Sequence, residues 1–444
     1  MNKKKFLLVI ISLLFLETAT AQSSLLKSGP MVGYSTMKEA LLWVQTTKAC
    51  AVKFQYWDKK NVDRKYFTEE ITTNKHLVFV AKLIADSLKP GINYEYQLFL
   101  NGKVVERPYA LSFQSQPLWQ YRTDPPAFKF VMGSGTYINE EKYDRPGKPY
   151  GTGYEIFESM HKENPDFMLW LGDNVYLREA DWNSRTGIMH RYTHTRSLKE
   201  MQPLLGSTHH YAIWDDHDYG PNDSDRSYWG KNMTEEAFNL FWGNNNTNLT
   251  GQGGTTNTFF WNDVQFFMLD NRYFRTPNNR KDGERTMLGE AQFQWLIDAL
   301  IFSRASFKFI VIGGQVLNSD VSFEKYSTYG EEKTRLLKAI RAAKVPGVVF
   351  ISGDVHHTEL SKDATSGYPF YDFTVSPFTS GVYAIKDNPN KYYVEGTLVN
   401  EKNYGIIEVS GPRQDRKLKF IVKGSSGKKL WEREICAKDL KEVE

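Results

Sequence analysis

Three apolar runs in this chain stop abruptly in acid and histidine, and that recurrence limits the fold more than any other feature. Leu169-Trp170-Leu171 gives way to Gly172-Asp173-Asn174-Val175-Tyr176, Ile213-Trp214 to Asp215-Asp216-His217-Asp218, and Phe350-Ile351-Ser352 to Gly353-Asp354-Val355-His356-His357. Short continuous apolar runs read as buried strands, and ligands in layered α/β sheets gather outside the carboxyl ends of such strands. Taken singly, each motif is no more than a turn with a satisfied surface histidine. Together they put Asp173, Asp215, Asp216, Asp218 and Asp354, with His217, His356 and His357, on strand ends of one domain. So many like charges raise one another's pKa values, and a bound cation is the economical explanation.

The rhythm of the chain divides it. From residue 28 to 116 the pattern is one of short alternating strands, at Leu42 and Val44, at Val52, Phe54 and Tyr56, and at Leu77, Phe79 and Ala81. Pro90-Gly91 feeds Tyr94-Glu95-Tyr96, which resembles the tyrosine corner of fibronectin-type sandwiches, and Asn101-Gly102 is a hairpin turn. A small all-β Ig/fibronectin-like sandwich is therefore expected first, carrying His76 as its sole histidine and no catalytic group. Residues 117–126, with Pro117, Pro125 and Pro126, read as a linker. Residues 127–436 then alternate strands with helices, predicting an α/β layered catalytic domain. Strands are expected at 128–132, 167–171, 211–214, 266–269, 307–312 and 348–351, with helices at 154–162, 290–302 and 331–343. Short strands at 404–409 and 417–422 complete the second sheet.

Lys3-Lys4-Lys5, the apolar run Phe6 to Leu16 and Ala19-Thr20-Ala21 form a signal peptide over residues 1–21, cleaved after Ala21, which predicts a periplasmic or secreted protein. The run is shorter than the ~20 residues of a membrane span, so no transmembrane segment is expected. Lys and Arg (56) nearly balance Asp and Glu (52) without long blocks, which argues against a nucleic-acid partner. Cys50 and Cys436 exclude a cysteine-rich scaffold; two separate buried thiols are favoured over one long-range disulfide.

Metals held by oxygen ligands acidify water and clamp phosphoryl oxygens, so hydrolysis of a phosphate ester is the natural outcome. Leu269-Asp270-Asn271-Arg272 adds a strand end whose guanidinium suits either a phosphate or an ion pair with Asp270.

At this point the residues resemble the alkaline phosphatase D (PhoD)-like phosphatases and phosphodiesterases, within the calcineurin-like metallophosphoesterase superfamily. The resemblance rests on Gly133-Ser134-Gly135, Gly172 to Tyr176, Trp214 to Asp218 with Asn222, Leu269 to Arg272, and Ser352 to His356. It implies a metallophosphoesterase β-sandwich flanked by helices. It also implies that Asp173 bridges two metal ions, that Tyr176 gives a phenolate to one, and that Asp216, Asp354 and His356 fill most other positions. His217, Asp216, Arg272 and Asn222 form the catalytic set, with His217 facing the phosphate. The family pattern commonly places cysteine where Gly135 stands. Calcium is thus the first choice of ion, with magnesium or manganese as alternatives, and iron is weakened by the missing thiolate. Ser134 and Thr136 are candidate replacements, and cysteine introduced at 135 would restore the thiolate if the backbone accepts a side chain.

The expected protein is a monomer hydrolysing phosphomonoesters or phosphodiesters of nucleotides, sugars or phospholipid head groups at alkaline pH. A phospholipase D-like activity is the alternative, if Trp182, Tyr228, Trp229 and Trp242 line a groove. A catalytically weak surface binding protein is the alternative from another class.

Overall fold

The computed structural model describes residues 25–245 and 247–442; the expected signal peptide lies outside them. Among the described residues no helix is long and apolar enough to cross a membrane. Two compact units emerge, one running to Leu118 and including Arg196–His209, the other holding Trp119–Thr195 and His210 onward.

The first unit contains β1 (Leu26–Ser35), β2 (Ala40–Thr46), β3 (Ala51–Asp58), β4 (Asn61–Phe67), β5 (Ile71–Thr72), β6 (Val80–Ala85), β7 (Asn93–Leu100), β8 (Lys103–Val105) and β9 (Ser112–Gln114). β1, β2 and β6 make one layer, and β4, β3, β7 and β8 make the other. Period-two alternation drives the packing: Tyr94, Tyr96, Leu98 and Leu100 of β7 are buried while the residues between them are not. They share a core with Phe54 and Tyr56 of β3 and with Leu42 and Val44 of β2, so the unit is a small β-sandwich as expected. The Lys89 N–H donates to the Tyr94 hydroxyl at 2.8 Å, giving the anticipated corner. Asn101 and Gly102 both take positive φ in the β7–β8 hairpin.

One expected strand fails. Leu77 to Phe79 form a turn, and β6 starts only at Val80. The Asn74 side chain accepts the Leu77 N–H at 3.0 Å and its carbonyl accepts the Phe79 N–H at 2.8 Å, so local hydrogen bonds outcompete the alternating pattern. The helix Gln202–Ser207, distant in sequence, also belongs to this unit: Gly206 O accepts the Tyr96 hydroxyl at 2.9 Å, and Gln202 Oε1 accepts the Gly29 N–H at 2.7 Å.

The second unit contains β10 (Phe128–Gly133), β11 (Phe167–Leu171), β12 (His209–Ile213), β13 (Asn257–Trp261), β14 (Val264–Met268), β15 (Phe307–Val311), β16 (Val348–Ser352), β17 (Glu359–Asp363), β18 (Phe370–Thr374), β19 (Asn403–Ser410), β20 (Lys417–Gly424) and β21 (Lys429–Cys436). One layer has the order β21-β20-β19-β10-β11-β12, the other β13-β14-β15-β16-β18-β17. Phenylalanines fill the space between them. Phe130 lies 5.4 Å from Phe266 and 5.8 Å from Phe309, ring centre to ring centre, and Phe167 packs on both Phe130 and Phe266. Each such burial contributes on the order of 2 kcal/mol. Helices Glu290–Phe302 and Gly330–Ala342 cover the outer face of the second layer through Leu296, Leu300, Leu336 and Ile340.

β10 and β11 run parallel, as do β14, β15 and β16, so their carboxyl ends gather the loops that follow. Cys50 and Cys436 are both free thiols.

Candidate metal centre

Four strands deliver the site. β11 runs through Gly172 into Asp173, β12 through Trp214 into Asp215 and Asp216, β14 into Asp270 to Arg272, and β16 through Gly353 into Asp354 and His356. The turns are sharp for physical reasons. Gly172 takes φ +91°, and a Cβ there would fall 2.6 Å from the Asp215 Cβ. A Cβ on Gly353 would fall 2.6 Å from Ser134 Oγ. Asp173, Asp354 and His356 themselves adopt left-handed φ of 50°, 69° and 56°. L-residues avoid that region, and such strain gathers at functional sites.

The side chains converge. Oxygens of Asp173 and Asp216 and a nitrogen of His217 lie within 4.8 Å of one another, as do oxygens of Asp215, Asp216 and Asp354. The Tyr176 hydroxyl donates to Asp173 Oδ2 at 3.0 Å and lies 2.9 Å from His356 Nε2. The His217 ring stacks on Tyr176 with centroids 4.2 Å apart. Asp173 Oδ1, Asp215 Oδ2 and Asp216 Oδ1 are buried without a hydrogen-bond partner among the described residues, a costly state for carboxylate oxygens. Burial raises Asp173 and Asp354 well above the usual carboxylate range, and their acidic neighbours raise them further. Burial also pushes His356 down to about 4. Asp216 titrates low, because His217, Arg272 and the Asp223 N–H outweigh its burial. Orphaned oxygens, crowded acids and a neutral imidazole together fit a bound cation.

Not every acid at a strand end belongs to this set. Asp218 accepts the Asn174 N–H at 3.1 Å and the Asp215 N–H at 3.0 Å, completing the capping box in which Asp215 is the N-cap of the helix Asp216–Tyr219. Burial pushes it up to about 8. His357 turns to the Val355 carbonyl at 3.0 Å. Asp270 accepts backbone N–H groups of Thr255, Arg272 and Tyr273, all at 2.9 Å. The anticipated choice for Arg272, phosphate or Asp270, is therefore replaced by a third arrangement. Its buried guanidinium donates to both Glu324 oxygens at 2.9 and 2.5 Å and to Asp215 Oδ1 at 2.5 Å. Glu324 sits in a loop with no periodic pattern, so nothing in the sequence points to it.

Asp223 was likewise missed; its N–H donates to Asp216 Oδ2 at 2.9 Å. Asn222 is exposed and donates to the Asp223 carboxylate at 2.8 Å. Glu324, Asp216 and Asp223 also lie close together, but Arg272 and Arg275 already neutralise Glu324. Of the candidate replacements near Gly135, Ser134 Oγ accepts the Asp354 N–H and donates to the Val375 carbonyl, both at 3.2 Å. The Thr136 hydroxyl is buried and unpartnered among the described residues. Gly135 itself takes φ +75°, and a Cβ there would fall 2.8 Å from Ser380 Oγ and 2.9 Å from Pro377 Cβ. Cysteine at 135 thus requires Ser380 and Pro377 to shift and a side chain at left-handed φ. Trp242 is buried against Trp170 and Phe238, which removes it from any groove.

Comparison with known proteins agrees with this architecture. A solved structure of PhoD superposes with a TM-score of 0.73 at 16% identity, covering 93% of this chain and 92% of that one. Purple acid phosphatase PPD1 from yellow lupin (Lupinus luteus) seeds gives 0.67 at 12% identity, covering 93% and 76%. The fold is shared with these two phosphatases. Alkaline phosphatase D of Bacillus subtilis (strain 168) is 20% identical over 375 residues, 70% of this chain and 63% of the relative, so this chain spans less than two thirds of that relative's length. A domain of unknown function matches residues 23–118. The PhoD-like phosphatase model matches residues 141–410, more than half of the sequence, and the chain therefore belongs to the PhoD-like phosphatase family.

Proposed function

We infer that this chain is a metal-dependent phosphoesterase acting outside the cytosol on phosphomonoesters or phosphodiesters. One observation carries the reading: among the described residues, buried Asp173, Asp215 and Asp216 keep carboxylate oxygens without hydrogen-bond partners at the ends of β11 and β12, beside Tyr176 and His356. Asp173, Tyr176, Asp216, Asp354 and His356 would hold the cation, with calcium, magnesium or manganese suited to the oxygen-rich set. When bound, the cation supplies Lewis-acid polarisation and an acidified water.

The chain's own residues do the rest. His217, half-buried and braced by its stack on Tyr176, is placed to hydrogen-bond a phosphoryl or leaving oxygen as charge develops. Asn222, exposed on the following loop with its amide on Asp223, is the second donor proposed for that group. Arg272 acts at one remove: it holds Asp215 and Glu324 as anions and keeps Asp216 low. The name of the Bacillus relative points to an alkaline optimum, and the N-terminal signal pattern points to export.

A second reading, a diesterase for substrates with an apolar alcohol, is favoured by Phe323 and Tyr383. They are 65% and 54% exposed, in edge contact at 5.7 Å, next to Glu324 and on the loop whose Tyr383 N–H binds the His356 carbonyl. Hydrolysis of nitrophenyl phosphate and bis-nitrophenyl phosphate, before and after chelation, tests both. Metal-restored turnover of either substrate supports the inferred activity, a strong bias to the diester supports the second reading, and turnover indifferent to chelation contradicts metal dependence.

A further inference from the structure

Ser380 lies outside every motif that marked the site, yet the backbone aims it there. Its N–H and that of Thr379 both donate to the Gly135 carbonyl at 3.0 Å, and the Phe378 N–H donates to the Ser134 carbonyl at 2.8 Å. These bonds lace the turn after β18 onto the turn after β10. Gly135 leaves the space that Ser380 Oγ needs, since a Cβ at 135 would approach it to 2.8 Å. Ser380 Oγ thereby reaches 3.3 Å from His356 Nε2.

Four donor atoms then follow one another at coordination spacing. Asp173 Oδ2 to the Tyr176 oxygen is 3.0 Å, that oxygen to His356 Nε2 is 2.9 Å, and His356 Nε2 to Ser380 Oγ is 3.3 Å. Ligands about 2.1 Å from a shared ion in octahedral geometry stand roughly 3 Å apart, and these three separations are of that length. We propose that the Ser380 hydroxyl is a direct ligand, joining Asp173, Tyr176 and His356 around one cation. This rests on the metal-dependent reading above and specifies it: the donor set becomes three oxygens and one nitrogen, harder than a thiolate set.

The test uses cobalt(II) as probe on the chelated full chain. Wild type, Ser380→Ala, Ser380→Cys and Asp173→Asn are titrated by calorimetry and by near-ultraviolet absorption. Ser380→Ala should bind cobalt about 10–100-fold more weakly, the scale of losing a partner at a metal site. Ser380→Cys should gain a thiolate-to-cobalt charge-transfer band that wild type, which keeps Cys50 and Cys436, lacks. Equal cobalt affinity in Ser380→Ala, or a fully loaded Ser380→Cys without the band, overturns the assignment while leaving the metal site intact. If Ser380→Cys does not fold, the Ser380→Ala affinity decides alone. Wild type binding no cobalt, or binding it no better than Asp173→Asn, overturns the metal-dependent reading itself and this inference with it.

Discussion

The two units are both sandwiches of β layers, yet they treat buried polar groups in opposite ways. Among the described residues of the first unit the buried polar side chains are hydroxyls, amides, Arg196 and His209, with no carboxylate. The second unit buries Asp173, Asp215, Asp216, Asp270 and Glu324 around the ends of β11, β12 and β14, and three of these keep unpartnered oxygens. A core that only has to be stable pairs or omits its charges, because an unpaired buried charge costs several kcal/mol. A core that concentrates acids with unpartnered oxygens at strand ends is organised around something it binds. The positive-φ residues sharpen the contrast. In the first unit they serve turns, at Val78, Phe79 and Asn101, whereas in the second, beside others such as Asn164, Asn262 and Lys344, they include the candidate ligands Asp173, Asp354 and His356.

The largest effect that tests this contrast is loss of hydrolysis. Asp173→Asn and Asp354→Asn should each lower turnover by several orders of magnitude, while the metal-free variants melt at or above the wild-type temperature because a repelled charge has gone. Normal activity at equal metal loading in either variant would break the assigned roles.

Arg272→Ala separates a structural cation from a substrate-binding one. It leaves Asp215 buried and unpaired and Glu324 with Arg275 alone, so denaturant unfolding should show a loss of about 3–5 kcal/mol. A stable variant impaired only in KM would instead place Arg272 on the phosphate.

The acid cluster should also respond to pH in a defined direction. A carboxyl whose pKa is raised by folding binds its proton more tightly in the folded state. Asp173 and Asp354 therefore draw stability away as pH climbs from the ordinary value near 4 toward their raised values. A bound cation takes over from those protons. The rise in Tm on adding calcium to chelated protein should be larger at pH 8 than at pH 5; an equal or reversed increment would mean that calcium binds elsewhere.

The smallest effect belongs to the first unit. Tyr94→Phe removes the acceptor for the Lys89 N–H and should cost about 1 kcal/mol in unfolding free energy with kcat unchanged. A fall in kcat without a fall in stability would mean that this sandwich takes part in the chemistry.

Much of the fold was legible because periodicity and burial agree. The helix expected at 290–302 and the strand expected at 167–171 coincide with the observed Glu290–Phe302 and Phe167–Leu171. The helices Arg185–Arg196 and Lys231–Phe241 escaped notice, the first because it carries a polar run with little apolar periodicity. Within the site, Asp173, Asp216, Asp354 and His356 were readable since each follows an apolar strand. Glu324 and Ser380 were not: they sit in loops and reach the cluster only through tertiary contacts, Glu324 through the Arg272 fork and Ser380 through the Gly135 carbonyl. Asp218 shows the converse. It shares the strand-end signal, but its carboxylate is consumed by backbone N–H groups.

The central claim, that the strand-end acids of the second unit form a cation site, is tested most directly by calorimetric titration of the chelated protein with calcium and manganese at pH 8, wild type beside Asp173→Asn. The account predicts saturable binding of at least one of these ions by wild type, weakened by more than about tenfold in the variant. Superimposable isotherms, or no binding of either ion by wild type, would contradict it.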